Sequence, residues 1–169
     1  MSAAPARLRT ARLHLERIAP EHVPALSGLL RDPRVAATLS PDGLPPDEAD
    51  ARQRLEADIG HWARHDFGPW AARDRDTLEI VGRGGLRHLE DEVEVLWTVV
   101  PTRWNAGLAT ELARASVRTG LGVLGFTRLI ADTLPDNHPS RRVMEKAGFT
   151  FDRNVRHAGL PHVRYICRR

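Results

Sequence analysis

Apolar and polar positions alternate in "LRTARLHLE", with Leu8, Ala11 or Leu13, and Leu15 available to one face, and this predicts a first strand over residues 8–16. In "PEHVPALSGLLRD" the period changes: Val23, Leu26 and Leu30 recur at helical spacing behind Pro20, predicting a short helix. "SPDGLPP" is a turn-rich loop over 40–46. After it, "DEADARQRLEADIGHWARH" sets Leu55, Ile59 and Trp62 on one stripe behind acidic first-turn residues, which predicts a longer second helix. The middle of the chain offers three short β-type runs, near 69–74, 78–88 and 92–100, separated by charged turns as in an antiparallel meander. A helix from about Gly107 to Gly120 follows, then a strand in "FTRLIADTL", a helix in "HPSRRVMEKAG" ending at Gly148, and final strands around Phe149 and Tyr165. The order β, αα, βββ, α, β, α, ββ predicts an α+β domain with a central, largely antiparallel sheet covered by helices.

The length of 169 residues fits one domain, 1–169, able to bury a core without staples. Cys167 is the only cysteine, which excludes an internal disulfide and a cysteine-rich zinc site and makes a reducing compartment, the cytoplasm, the expectation. "MSAAPARLRT" lacks the apolar stretch of a signal peptide, and no apolar run approaches the roughly 20 residues that span a bilayer, so no membrane partner is expected. Net charge is only +3, and Lys146 is the sole lysine among 25 basic residues. Arginine suits anionic partners, yet here the bases are scattered among acids and the few aromatics form no stacking platform, so nucleic acid is not expected either.

The informative stretch is "VEVLWTVVPTRWNAGLATELARASV", where a strand closed by Pro101 runs through a short loop into a helix start of Asn105, Ala106, Gly107, Leu108, Ala109 and Thr110. The first turn of a helix carries unpaired N–H groups and the positive end of the macrodipole, and small side chains there let an anion such as a pyrophosphate reach them. Taken alone, Gly107 reads more readily as a packing accommodation, and its context reverses that preference. Asn137 and Ser140 in "DNHPS" read locally as helix N-caps, with Pro139 suited to a first turn.

"EVEVLWTVVPTRWNAGLATELARA" followed by "DTLPDNHPSRRVMEKAGF" resembles the acyl-CoA-binding core of the GNAT acetyltransferases, specifically the RimJ/RimL-like branch, and the likeness extends over most of the chain. It implies a mixed, seven-stranded sheet flanked by about four helices, with the pantetheine arm of acetyl-CoA inserted where the fourth and fifth strands splay. On this resemblance the pyrophosphate loop falls on Trp104, Asn105, Ala106, Gly107, Leu108 and Ala109. Ala106 stands where a basic residue is frequent, and Arg103 or Arg142 are candidates to offset the missing charge. Backbone groups of Val99 and Val100 match positions that pair with pantetheine. Asn137 matches the asparagine that holds the pantetheine amide, and Ser140 the serine close to the sulfur. The implied reaction is acetyl transfer from acetyl-CoA to a primary amine by direct attack in a ternary complex, with Glu94 as base, Glu92 next in line on the same face, and Ser140 protonating the leaving thiolate. No metal is implied, and the enzyme is expected to be a monomer or homodimer. The alternative is a catalytically idle acyl-CoA sensor or partner-binding domain.

The acceptor is a peptide or protein N-terminus or a small-molecule amine. Neutralising a lysine at pH 7 costs about 4.6 kcal/mol and an α-amine only about 1.4 kcal/mol, which mildly favours the α-amine. "TLSPDGLPP" and "RHAGLPH" are the candidate acceptor loops, and Tyr165 reads as a core or rim residue more readily than as part of the acceptor cleft. Two patterns are set aside. His61 and His65 in "HWARH" have metal-ligand spacing, but Trp62 replaces the glutamate of a zinc-protease motif and no third ligand suggests itself. "GRGG" at 82–85 is too short for a dinucleotide fingerprint and reads as a bulge within a strand.

Overall fold

Eight strands form one sheet in a computed structural model that describes residues 3–40, 42–157 and 159–169. In chain order they are β1 (Arg7–Arg9), β2 (Leu13–Arg17), β3 (Pro69–Asp74), β4 (Ile80–Leu89), β5 (Glu92–Val99), β6 (Arg128–Thr133), β7 (Thr150–His157) and β8 (Leu160–Arg168). The helices are α1 (Val23–Arg31), α2 (Pro33–Leu39), α3 (Glu48–His65), α4 (Leu108–Val117) and α5 (His138–Lys146). Spatial order is β1-β2-β3-β4-β5-β6-β8-β7, with every neighbouring pair antiparallel except β5 and β6. The mixed, largely antiparallel sheet stands as expected from the sequence.

Two counts differ from the sequence reading, each for a local reason. The first strand is two strands, because residues 10–12 turn: the Thr10 N–H donates to Leu13 O at 2.9 Å, and Arg75 Nη1 donates to the Thr10 and Ala11 carbonyls. The extra helix is α2, only seven residues long, capped by Asp32 accepting from the Arg34 amide. The predicted helix over 107–120 is α4 from Leu108 to Val117, followed by a wider π turn over Arg118–Val123.

α3 begins where Asp47 accepts from the Asp50 amide, and it ends at Asp66 in the left-handed region. Its buried face is Ala51, Leu55, Asp58, His61 and Trp62, while Ile59 is only half-buried. Trp62 and Trp70 are fully buried, and the Trp62 indole donates to Pro69 O. α4 lies against β4 and β5, so close that a Cβ on Gly84 would come within 2.6 Å of Leu112. Glycine there is a requirement of helix–sheet approach.

Candidate active site

The chain leaves β5 at Val99, makes a short 3₁₀ turn over Pro101–Arg103, and enters α4 with Asn105 and Gly107 both at positive φ, +61° and +79°. Gly107 is the N-cap and offers no side chain to the turn. The amides of Gly107, Leu108, Ala109 and Thr110 have no protein acceptor among the described residues. The bare helix start follows from the left-handed conformation that Gly107 adopts, and it leaves the four amides open at the end of the helix.

The turn is braced from an unexpected place. Arg12, in the β1–β2 turn, donates through Nη1 to Ala106 O, and its Nη2 lies 3.2 Å from where a Gly107 Cβ would sit. Glu111 in the first turn of α4 holds that arginine, accepting from Arg12 Nε at 2.8 Å, from the Arg12 amide at 2.7 Å and from Thr10 Oγ1 at 2.6 Å. Burial pulls the Glu111 pKa upward, but these bonds from Thr10 and Arg12 outweigh it and hold it below its usual range. Of the two arginines expected to help, Arg103 lines the cleft but pairs with Asp74 at 3.1 Å, and Arg142 is exposed at its rim.

β5 and β6 run parallel and share a single register pair, Glu94 with Ile130, beyond which they part. A cleft of about 860 Å³ opens there, and the 104–110 turn, both diverging strands and the start of α5 line it. Val100 N–H donates to Val81 O at 2.9 Å, so the alternation of an antiparallel ladder turns the backbone groups of Trp97 and Val99 away from β4 and into the gap. Val100 is turned away: its N–H is given to β4, its carbonyl accepts from the Arg103 amide, and it does not line the cleft. This corrects its place among the expected binding residues. The Val99 carbonyl accepts from the Trp104 indole at 2.8 Å, which leaves its N–H facing the gap. Trp104 thereby acts as a brace between strand end and turn, and it is half exposed on its other side.

At the start of α5, Asn137 is the N-cap, with Oδ1 accepting from the Ser140 amide at 3.2 Å. Ser140 is not a cap: it lies inside the first turn, half-buried, lining the cleft.

The opposite wall carries charge in pairs. Glu94 is buried rather than solvated, and its Oε2 accepts from Arg87 Nε at 2.7 Å across the β4–β5 register. Four residues along β4, buried Arg83 pairs with Asp58 of α3. Burial, aided by nearby Arg87 and Arg54 and opposed by Glu94, pushes the Arg83 pKa down to about 9. On the far side, Asp132 of β6 accepts from Arg164 Nε and Nη2 at 2.9 and 2.8 Å and also from His157 Nε2. Burial acts to raise the Asp132 pKa, and the bonds from Arg164 and His157 reverse it. Val35, Thr38 and Leu39 of α2 complete this wall.

Glu92, the second choice for base, pairs with Arg128 at 3.2 Å and does not line the cleft. Tyr165 is buried in the core, its hydroxyl accepting from Arg141 Nε. The irregularity near "GRGG" is a register shift around Val81, beside the glycines. Pro41 and Ala158, in the two expected acceptor loops, lie outside the described residues; Thr38 and Leu39 of the first loop and His157 and His162 of the second line the cleft. Sequence reasoning missed Arg12, Arg87, Asp132 and His157, each of which acquires its meaning from a partner on a different strand or helix.

A sheet parted beside a helix start with unclaimed amides is the architecture of an acyltransferase that draws on a phosphate-bearing acyl donor. Residues 12–150 match the family model described as an acetyltransferase (GNAT) domain, and the chain belongs to that family. Among curated relatives, the uncharacterized N-acetyltransferase YoaA of Bacillus subtilis (strain 168) is 32% identical over 83 residues, which is 47% of either chain. The match thus spans about half of YoaA's length. The uncharacterized protein YkkB of the same organism is 28% identical over 163 residues, 94% of this chain and 93% of its own. The crystal structure of an acetyltransferase from Agrobacterium tumefaciens str. C58 superposes with a TM-score of 0.86 at 24% identity, over 100% of this chain and 98% of that one. A ribosomal L7/L12 alpha-N-protein acetyltransferase, RimL, in complex with coenzyme A and AAC(6')-Ib in complex with ribostamycin and coenzyme A share the fold almost equally. Their TM-scores are 0.79 and 0.78 at 16% and 20% identity, over 98% and 94% of this chain and 97% and 94% of theirs. The family is therefore established, and the RimJ/RimL branch within it is not. No helix among the described residues is long and apolar enough to cross a membrane.

Proposed function

We propose that this chain transfers an acetyl group from acetyl-CoA to the primary amine of an acceptor, by direct attack while both are bound. The observation that carries this reading is the single Glu94–Ile130 register pair, from which one cleft opens with free helix-start amides at one end and Glu94 at the other. The residues fit the donor: the amides of Gly107 to Thr110, on a turn that Arg12 braces, suit its diphosphate, the N–H of Val99 and the backbone groups of Trp97 suit the amides of its arm, and Asn137 lines the same cleft. The donor supplies an activated acyl thioester. Glu94 takes the proton that the attacking nitrogen sheds as the C–N bond forms, and Ser140 gives a proton to the sulfur as the C–S bond breaks.

An α-amine of a peptide or protein, the acceptor of the RimJ/RimL-like reading, is favoured by the wall around Glu94. Glu94 already spends one oxygen on Arg87, and both acids lining the cleft, Glu94 and Asp132, are tied to arginines, an arrangement poorly matched to a polycation. Such a site suits an amine that needs only about 1.4 kcal/mol of neutralisation at pH 7. A thiol-release assay with acetyl-CoA, α-amine peptides and small amines tests this. Turnover is expected on α-amines; a coenzyme-dependent rise in Tm with no turnover on any acceptor would instead identify an acyl-CoA sensor.

A further inference from the structure

His61 and His65 lie one turn apart near the end of α3, and the fold brings His88 of β4 against both. One nitrogen from each ring lies within 4.8 Å of the others, and the ring centroids are 4.5 Å (His61–His65), 4.7 Å (His65–His88) and 5.5 Å (His61–His88) apart. We propose that these three imidazoles form a binding site for a divalent transition metal of the Zn²⁺ type, joining the end of α3 to β4 outside the catalytic cleft.

Three features support the site. The His61 Nδ1 sits 2.8 Å from Phe67 O and donates to it, which fixes the tautomer and leaves the Nε2 lone pair facing His88. A backbone carbonyl orienting a metal-binding histidine in this way is the usual outer support of such a ligand. Second, His65 and His88 are exposed, and neither ring has a hydrogen-bond partner among the described residues, so both are free to rotate from the present spacing to the roughly 3.4 Å between nitrogens of a tetrahedral zinc site. Third, Phe67 packs against all three rings and rests on Phe126, giving the cluster an apolar floor on its inner side. Three imidazoles suit zinc, nickel or copper and leave a fourth position for water.

Two features oppose it and set its strength. His61 Nε2 accepts from the His88 amide at 3.0 Å, a bond that metal binding must exchange for one to water, and Arg64 is a nearby cation. Binding is therefore expected to be weaker than in a closed structural zinc site.

The test uses the whole chain without a histidine tag, stripped with a chelator. Calorimetric titration and thermal melting are run with Zn²⁺, and absorption spectra with Co²⁺, on the wild type and on His65→Ala and His88→Ala, which change exposed rings and spare the buried His61. Expected are 1:1 binding, a Tm rise that saturates, a four-coordinate Co²⁺ spectrum, and an affinity at least about ten-fold weaker in either variant. Absence of saturable binding to the wild type, or binding in both variants as tight as in the wild type, as ligation by the paired rings of His157 and His162 would give, overturns the proposal.

Discussion

At the end of the cleft proposed to take the diphosphate the groups on offer are backbone amides between Gly107 and Thr110, and at the proposed acceptor end they are side chains held in opposed charge pairs. Backbone amides need only a local conformation, here two residues at positive φ, and they are ready before any ligand arrives. The acceptor wall needs partners from α3, β4, β5, β6, β7 and β8 to meet. One end is thus set by a few consecutive residues and the other by the whole sheet, so substitutions at the two ends should fail differently: loss of ligand at one, loss of fold or chemistry at the other.

The sharpest break in that contrast is Asp132→Ala, which leaves Arg164 buried without its carboxylate; about 3–5 kcal/mol of stability should disappear in a denaturant titration. Because the Asp132 pKa is lowered in the folded state, its contribution is complete above the ordinary carboxylate value and fades as pH falls through the depressed one. The gap between wild type and variant should accordingly narrow below about pH 4. Next comes Gly107→Glu, which forces a side chain into the left-handed region and sets a carboxylate beside the free amides. The stabilisation that coenzyme A should confer on the wild type, about 2.7 kcal/mol at 100 times its dissociation constant, is expected to vanish with the apo fold retained. Ser140→Ala should keep that stabilisation and lower kcat by about 10²-fold; unchanged turnover would remove the serine from the reaction. Glu94→Gln should lose more activity at low pH than at high pH, where the acceptor amine is already neutral, and a flat ratio would count against its role as base. The smallest effect belongs to Arg12→Ala: half-exposed Arg12 should contribute no more than about 1 kcal/mol to stability, while coenzyme affinity falls several-fold.

How much could be read along the chain follows the same division. The meander, α4, α5 and the bare helix start were legible because each depends on periodicity or on neighbours within a few residues. Trp104 and Gly107 sit in one short loop, and their pattern survives without the fold. Arg12 did not show itself, since the residue it supports is 94 positions away, and neither did the Asp132–Arg164 pair, separated by 32. Val100 was misassigned for a subtler reason: sequence places it at the strand end, but only the register with Val81 shows that its amide faces β4. His88 was invisible as a partner of His61 until β4 was seen to lie against α3.

The most direct measurement is a crystal structure of the chain grown with coenzyme A. Expected is the diphosphate within about 2.7–3.2 Å of the Gly107, Leu108 and Ala109 nitrogens, with the arm running between β5 and β6 past Trp97 and Val99. Coenzyme bound elsewhere, or those amides turned to water while it is bound, would contradict the account.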